Sequence, residues 1–193
     1  MVSSYGFVIA ALESCAAICN VDAYAHDQLH IIEAAKDTAK YPVFLKANTS
    51  NVGIFGHSWG AMSTILAAKK AGPEVKAAFS LHPCPCAMGA FSGAFDLCGP
   101  LHTKMPLAFF TGTLDTVCIP TGVKSYYEKA QSPVKSIANV DGITHFNPTD
   151  ADPKGDLEGP YVGNFFNCWL AKDSAGCDAM YGTQSNSLCK DLQ

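Results

Sequence analysis

Residues 53–61, with the sequence GIFGHSWGA, place a serine at the centre of a Gly-x-Ser-x-Gly pentapeptide. An apolar stretch precedes Ser58 and a helix-compatible stretch follows it, so the motif connects a predicted strand to a predicted helix. Such a turn lifts a serine above the carboxyl edge of a sheet and places it at a helix N-terminus, where free N–H groups favour a developing oxyanion. We therefore predict that Ser58 is a nucleophile.

A serine on this kind of turn needs an acid and then a histidine later in the chain. His145, in DGITHF just beyond an apolar stretch, satisfies this order and is the predicted general base. The remaining histidines precede or adjoin Ser58, or precede the expected acid: His26, His30, His57, His82 and His102. We expect His57 to be a packing and hydrogen-bonding neighbour of the serine rather than a catalyst.

Asp115 is the predicted acid, because it follows the apolar stretch PLAFFTG and a short turn. Its expected role is to hold the tautomer of His145 and to stabilise the imidazolium. Asp96 lies in an irregular segment and is a weaker candidate. Asp141, four residues before His145, is the stronger rival, but its position before Gly142 favours a role in a turn.

Trp59 follows the serine, and its backbone N–H is the predicted oxyanion donor. For its indole two roles stay open, because the ring either walls the substrate pocket or packs in the core. No phosphate loop, metal-ligand set or dinucleotide fingerprint is present, so neither a cofactor nor a metal is predicted.

The elements that must position these residues follow from the alternation of apolar runs and helical patterns. This alternation predicts an α/β fold with a mostly parallel sheet flanked by helices. The predicted strands are 6–12, 51–55, 75–81, 106–112 and 134–140, and the predicted helices are 26–39, 59–71, 122–130 and 160–171. Two segments, 82–104 and 147–160, break the pattern, and long loops of this kind are functional or tied by disulfides.

Composition narrows the class of protein. With 193 residues, 48% of them hydrophobic and only 16% charged, the chain is expected to fold as one domain with a sizeable core. The net charge of −4 and the lack of a basic run argue against nucleic acid or an anionic membrane as partner. The apolar runs are too short to span a membrane.

The nine cysteines indicate an oxidising compartment, and hence a secreted protein. Disulfides are favoured over zinc, because neither the pair Cys84 and Cys86 nor the pair Cys15 and Cys19 has a second pair at finger-like spacing. A disulfide between Cys177 and Cys189 is predicted, since a small polar loop separates them. The sequon at residues 48–50 is compatible with secretion.

With GFVIAAL, GIFGHSWGA, FFTGTLDTVCIP and DGITHF in this order, the chain resembles the α/β-hydrolase fold over about residues 3–172. The closest resemblance is to the dienelactone-hydrolase-like branch, which includes cutinase-type polyester hydrolases, chlorophyllases and platelet-activating-factor acetylhydrolase. It implies a serine esterase with Ser58, Asp115 and His145 as its triad, acting on a small-molecule or polymeric ester. Secreted polyester hydrolases commonly carry a C-terminal disulfide, which the Cys177–Cys189 pair resembles.

The resemblance also implies that the early strands of the fold are missing. SSYGFVIAAL resembles the end of the family's first helix and the strand after it, and the loop that supplies a second oxyanion N–H precedes them. We therefore expect residues 1–193 to be an N-terminally incomplete hydrolase domain. The start of the chain is then internal sequence rather than a signal peptide, in keeping with Glu13 and the lack of an early Lys or Arg.

Two other functions remain open. A peptidase or an acyltransferase would use the same triad, because fold and triad do not fix the acyl acceptor. A catalytically silent, hydrolase-like binding protein is the alternative outside enzymology. The sequence does not predict an oligomeric state.

Overall fold

A computed structural model describes residues 2–12, 20–91, 94–149 and 157–182 of the chain. Its main sheet has four parallel strands in the order β1-β2-β4-β6. These strands are β1 (Val52–His57), β2 (Val75–Leu81), β4 (Leu107–Gly112) and β6 (Lys135–Val140). A small second sheet pairs β3 (Leu101–His102) with β5 (Ala130–Gln131). The predicted α/β architecture, a mostly parallel sheet flanked by helices, is confirmed.

Helices follow the strands, as the sequence pattern predicts. They are α1 (Val21–Ala34), α2 (Trp59–Lys70), α3 (Cys86–Phe91), α4 (Pro120–Lys129), α5 (Gly159–Phe166) and α6 (Ser174–Tyr181). Short 3₁₀ turns cover Val2–Tyr5, Pro42–Phe44 and Phe95–Cys98, and a π turn, Asn167–Ala171, continues from α5. Within the described ranges, no helix is both long and apolar enough to cross a bilayer.

Helices cover both faces of the sheet, and β4 shows how an inner strand is buried between them. Leu107 and Phe109 point to one face and pack with residues of α1, α2 and α4. Ala108 and Phe110 point to the other face and pack with residues of α5 and α6. Because successive side chains of a strand alternate between faces, a strand buried on both sides must be continuously apolar. This is why LAFF reads as one apolar run.

The first predicted strand, 6–12, is wrong. Residues 7–12 form no ladder, and the outer edge of β1 has no strand partner among the described residues. Both segments line a cavity of about 640 Å³, to which Val8, Ile9, Val52 and Ile54 contribute. A β-ladder needs strands about 4.8 Å apart with regular backbone hydrogen bonds, and residues 7–12 make no such ladder with β1.

Helix α1 begins and ends five residues earlier than the predicted helix 26–39. Its N-cap is Asn20, whose side-chain oxygen accepts a hydrogen bond from the Ala23 N–H at 3.0 Å. Asp22 then lies in the first turn, where its charge complements the helix dipole. This start signal precedes the amphipathic stretch on which the prediction was based.

Three disulfides lie within the described residues, joining Cys84 to Cys118, Cys86 to Cys98 and Cys168 to Cys177. Disulfides rather than zinc sites are thus confirmed for these cysteines. The Cys86–Cys98 bond closes the irregular segment 82–104 on itself, as expected of a long loop.

The predicted Cys177–Cys189 disulfide is wrong, because Cys177 is bonded to Cys168. The π turn after α5 places Cys168 against α6, with the two Cα atoms 4.5 Å apart and therefore within bonding range. Cys189 lies outside the described residues, as do Cys15 and Cys19.

Candidate active site

All four strands of the main sheet end at the candidate site. Ser58 follows β1, His82 follows β2, Asp115 lies three residues beyond β4, and His145 lies five residues beyond β6. The carboxyl ends of parallel strands share one edge, where α/β proteins place their ligands. The sheet thus brings together residues that are up to 87 positions apart in the chain.

Backbone hydrogen bonds continue the sheet past the strand ends and fix where the site begins. The Ser58 N–H donates to the Leu81 carbonyl at 3.0 Å, and the His82 N–H donates to the Phe110 carbonyl at 2.8 Å. The loops that carry Asp115 and His145 are joined in the same way, since the Leu114 N–H donates to the Ile143 carbonyl at 3.0 Å. The site therefore rests on backbone contacts rather than on side chains alone.

Ser58 occupies a tight turn between β1 and α2, with φ 58° and ψ −120°. A non-glycine residue rarely adopts a positive φ, and such strain gathers at functional sites. Gly56 permits the turn, because a Cβ there would overlap the backbone carbonyl of Gly60. A Cβ at Gly60 would meet no atom within 4 Å, so the two glycines of the motif are not equivalent.

Ser58, His145 and Asp115 form a continuous hydrogen-bonded series. The Ser58 Oγ lies 2.9 Å from the His145 Nε2, and the His145 Nδ1 lies 2.9 Å from the Asp115 Oδ2. His145 and Asp115 are 4% and 3% exposed, while Ser58 is partly open to solvent. In this geometry Asp115 accepts the Nδ1–H, so the His145 Nε2 can accept the hydroxyl proton of Ser58.

Four donors hold the Asp115 carboxylate. Its Oδ1 accepts the N–H groups of Val117 and Cys118 at 2.9 and 2.7 Å, and its Oδ2 accepts from His145 and His82. Burial raises the pKa of this carboxyl, but hydrogen bonds from the two imidazoles and from Cys118 outweigh burial and keep the pKa well below its usual range. Asp115 is therefore anionic throughout the neutral range.

His57 supports the histidine loop. Its Nε2–H donates to the carbonyl of His145 at 2.7 Å, and the two ring centroids lie 4.7 Å apart. Burial, reinforced by the nearby His145, lowers the pKa of His57 to about 4. A neutral His57 thus acts as a hydrogen-bond donor to backbone beside the serine.

The two rival acids lie elsewhere. Asp141 is exposed, and its Oδ1 accepts the Thr113 hydroxyl at 2.9 Å; the same hydroxyl oxygen accepts the Gly142 N–H. This is the turn chemistry expected from the sequence. Asp96 is exposed on the 3₁₀ turn Phe95–Cys98.

His82 and Glu158 also belong to the site, although no motif in the sequence predicts a role for either residue. His82 is fully buried, and its Nδ1 and Nε2 lie 2.6 Å from the Asp115 Oδ2 and 2.6 Å from the Glu158 Oε1. The order of residues excludes His82 as the base but says nothing of other roles. Its position directly after a buried strand, like that of Ser58, was the available signal.

His82, Asp115 and His145 are also the only described His, Cys, Asp or Glu residues that group closely enough to hold a metal ion. Their ligand atoms lie within 4.8 Å of one another. The hydrogen bonds described above account for the imidazole nitrogens, since both of those on His82 face carboxylates and the two on His145 face Asp115 and Ser58. The donor set therefore fits a hydrogen-bonded network.

Trp59 is the first residue of α2, so its N–H is one of those that a helix leaves without an intrahelical partner. Its indole is partly buried and packs against the hydrophobic core shared by α1, α2 and α4. These contacts support the core-packing role of the ring, and its role as a wall of the substrate pocket stays a prediction.

The Cys84–Cys118 disulfide lies directly beside Ser58 and His145. The Cys84 Sγ is 3.9 Å from the Ser58 Oγ, and the Cys118 Sγ is 3.9 Å from the His145 Nε2. Both cysteines are buried, at 1% and 0% exposure. The bond ties the loop after β2 to the loop that carries Asp115.

Comparison with known proteins gives distant relatives. No family model matches the chain. The chain is 25% identical over 178 residues to Cutinase 1 of Thermobifida cellulosilytica, covering 89% of the chain and 59% of the relative. It is equally similar to a cutinase of Thermobifida fusca (strain YX), of which it covers 52%, and 22% identical to Cutinase 2 of Thermobifida cellulosilytica. The chain thus spans between half and three fifths of the length of these curated relatives.

Proposed function

We propose that the chain is a serine hydrolase that cleaves carboxylic esters through an acyl-enzyme on Ser58. The observation that carries this proposal is the hydrogen-bonded series from the Ser58 hydroxyl through His145 to Asp115, with 2.9 Å at both steps. The strained turn of Ser58 and the anionic state of Asp115 support it. The names of the cutinase relatives favour an ester as substrate.

The reaction has two halves. In the first, the Ser58 Oγ attacks the ester carbonyl carbon while its proton passes to the His145 Nε2. The tetrahedral intermediate then expels the alcohol, which takes that proton. In the second half, water gives a proton to His145 and attacks the acyl-enzyme, and the acid leaves as Ser58 regains its hydrogen. Asp115 keeps the Nδ1–H of His145 in place and stabilises the imidazolium in both halves.

The oxyanion of the tetrahedral intermediate needs hydrogen-bond donors. We assign one of these donors to the backbone N–H of Trp59, the first residue of α2, where the helix dipole favours a negative charge.

The three disulfides support a site of action outside the reducing cytosol, and we propose that the protein is secreted. Small-molecule and polymeric esters both remain within the proposed substrate class.

Turnover of short-chain p-nitrophenyl esters tests the proposal. We expect hydrolysis by the wild-type chain and its loss in Ser58→Ala, while Ser50→Ala, an exposed serine, retains it. Hydrolysis of peptide amides but not of esters would instead favour a peptidase. Absence of turnover, together with absence of fluorophosphonate labelling, would favour a silent binding protein.

A further inference from the structure

Behind the proposed triad, a second hydrogen-bonded series runs from Asp115 to the start of α5. The His82 Nδ1 lies 2.6 Å from the Asp115 Oδ2, and the His82 Nε2 lies 2.6 Å from the Glu158 Oε1. All three side chains are buried, with His82 and Asp115 at 0% side-chain exposure and Glu158 at 1%. Glu158 directly precedes α5, so the series connects Asp115 to the layer of helices formed by α5 and α6.

We infer that His82 and Glu158 are positioning residues of the active site: His82 fixes the orientation of the Asp115 carboxylate toward His145, and Glu158 fixes His82. The inference rests on the proposed esterase function, because it concerns how that triad is held. It goes beyond the triad itself, since neither residue touches the reacting atoms.

The geometry gives His82 two donor bonds. A neutral imidazole carries one N–H and one lone pair, whereas an imidazolium carries two N–H groups. A carboxylate oxygen at 2.6 Å from each nitrogen can only accept, so the bridge is complete when both nitrogens are protonated. A neutral His82 would turn a lone pair toward one of the two carboxylates and lose one bond.

The surroundings of His82 favour that charged form. Burial alone lowers the pKa of His82, but hydrogen bonds to Asp115 and Glu158 and their negative charges outweigh burial and raise it to about 9. The other titratable groups that face its ring are His57 and His145, with ring centroids at 5.8 and 5.6 Å. His57 has its pKa lowered to about 4 and is uncharged in this range.

The charge also balances the site. Asp115 and Glu158 would be two buried anions, and buried charges are costly unless paired and hydrogen-bonded. An imidazolium between them leaves one net negative charge, which is available to His145 when it accepts the serine proton. The φ of 50° at His82 brings its ring into this position directly after β2.

A spectroscopic experiment tests the bridge without relying on catalysis. In the full chain labelled with ¹⁵N-histidine, NMR separates an imidazolium from the two neutral tautomers. We expect the His82 signal, assigned by its loss in His82→Asn or its shift in Glu158→Gln, to keep both ring protons up to about pH 9. A neutral His82 at pH 7.5 would overturn the inference.

Kinetics test the positioning role. We expect kcat for a p-nitrophenyl ester to fall in the wild type as pH rises through about 9, after subtraction of the Ser58→Ala rate. In Glu158→Gln the amide can donate to the lone pair of a neutral His82, so we expect this alkaline loss of kcat to disappear. Glu128→Gln, an exposed glutamate on α4, is the matched control and should keep the wild-type profile.

His82→Asn removes both bonds, and Asn is compatible with a positive φ. We expect its kcat to fall by about 10²-fold with little change in KM, since small displacements of catalytic groups cost about that much. An unchanged kcat in a folded His82→Asn would overturn the positioning role. The same alkaline loss of kcat in the wild type, Glu158→Gln and Glu128→Gln would also overturn it. A wild type without esterase activity would refute the proposed function as well, whereas the NMR result would still report the bridge.

Discussion

At the scale of single residues, the site consists of groups that each have a physical reason for their state. Asp115 is anionic because four donors face it, and His57 is neutral because burial and the nearby His145 lower its pKa. Ser58 is held in a strained backbone conformation that raises its hydroxyl toward His145. The proposed chemistry follows from these three states together.

Substitution of Asp115 and of Asp141 shows which of the two carboxylates acts with His145. In Asp115→Asn the amide can present an N–H to the His145 Nδ1 and thus favour the wrong tautomer, so we expect kcat to fall on the order of 10³- to 10⁴-fold. Asp141→Asn should stay within about two- to three-fold of the wild type, since this side chain bonds an exposed Thr113 hydroxyl. Steady-state ester hydrolysis measures both, and equal losses in the two variants would argue against the assignment of Asp115.

At the scale of elements, the strand-turn-helix unit from β1 to α2 determines where Ser58, the proposed nucleophile, lies. The first glycine of the motif is required by the close approach of Gly56 to the Gly60 carbonyl, and not by backbone conformation. The second glycine has open space around its Cα. The motif thus contains one sterically essential glycine and one that the local packing does not require.

Alanine at the two glycines tests this difference. Gly56→Ala should lower the melting temperature markedly, by the several degrees that about 2 kcal/mol of overpacking corresponds to. Gly60→Ala, in the first turn of α2, should leave stability unchanged or slightly raised, since alanine favours helix. Thermal unfolding followed by circular dichroism measures both. Equal melting temperatures for the two variants would contradict the proposed role of Gly56.

A second element-scale contact is the Cys84–Cys118 disulfide between the loops after β2 and β4. Cys118 also donates its N–H to Asp115, so the bond restrains the acid loop beside the serine. We expect the double variant Cys84→Ala, Cys118→Ala to lose kcat at least tenfold through a misplaced acid loop. Cys168→Ala with Cys177→Ala, distant from Ser58 in the fold, should lose stability while keeping kcat per labelled active site. The reverse pattern would show that the acid loop does not need the bond.

At the scale of the whole molecule, a sheet with helices on both faces carries the site on its carboxyl edge. Because α5 and α6 cover one face and Glu158 begins α5, the packing of that layer is connected to the charge state of the site. Stability and catalysis should therefore share a dependence on pH. His82 is the residue through which this connection runs.

The sign of that dependence follows from the pKa of His82. Its unfolded value is about 6.5 and its folded value is raised to about 9, so its contribution to stability is complete below about pH 6.5 and is lost as pH rises through about 9. We expect the melting temperature to fall more between pH 6.5 and 9 in the wild type than in Glu158→Gln, which lacks one of the two carboxylates. Glu128→Gln is the control, and identical slopes in all three proteins would contradict this assignment.

Much of this arrangement could be predicted from the sequence, because it depends on local pattern. The strands 75–81 and 106–112 contain the apolar runs AAF and LAFF, and the turn around Ser58 has a distinctive composition. The absence of a strand at 6–12 could not be predicted from the sequence, because GFVIAAL has the composition of a strand. Whether such a segment joins a sheet depends on the position of a partner strand. The Cys168–Cys177 bond depends on how α6 packs on the π turn, which is a tertiary contact.

The bridge through His82 and Glu158 illustrates the same limit at the site. The two residues are 76 positions apart, and neither belongs to a motif with fixed spacing. Their relation arises because β2 ends beside β4 and α5 begins over the same sheet edge. Because both side chains are buried, the Glu158 carboxylate needs a hydrogen-bond donor, and His82 supplies it.

The most direct test of the central claim is covalent labelling of the nucleophile. The purified chain is treated with a fluorophosphonate probe, and intact mass and peptide mapping locate the adduct. We expect a single adduct on Ser58 that is absent from Ser58→Ala and retained in the exposed-serine control Ser50→Ala. Labelling that persists in Ser58→Ala, or a folded wild-type chain that takes no label, would contradict the assignment of Ser58 as the nucleophile.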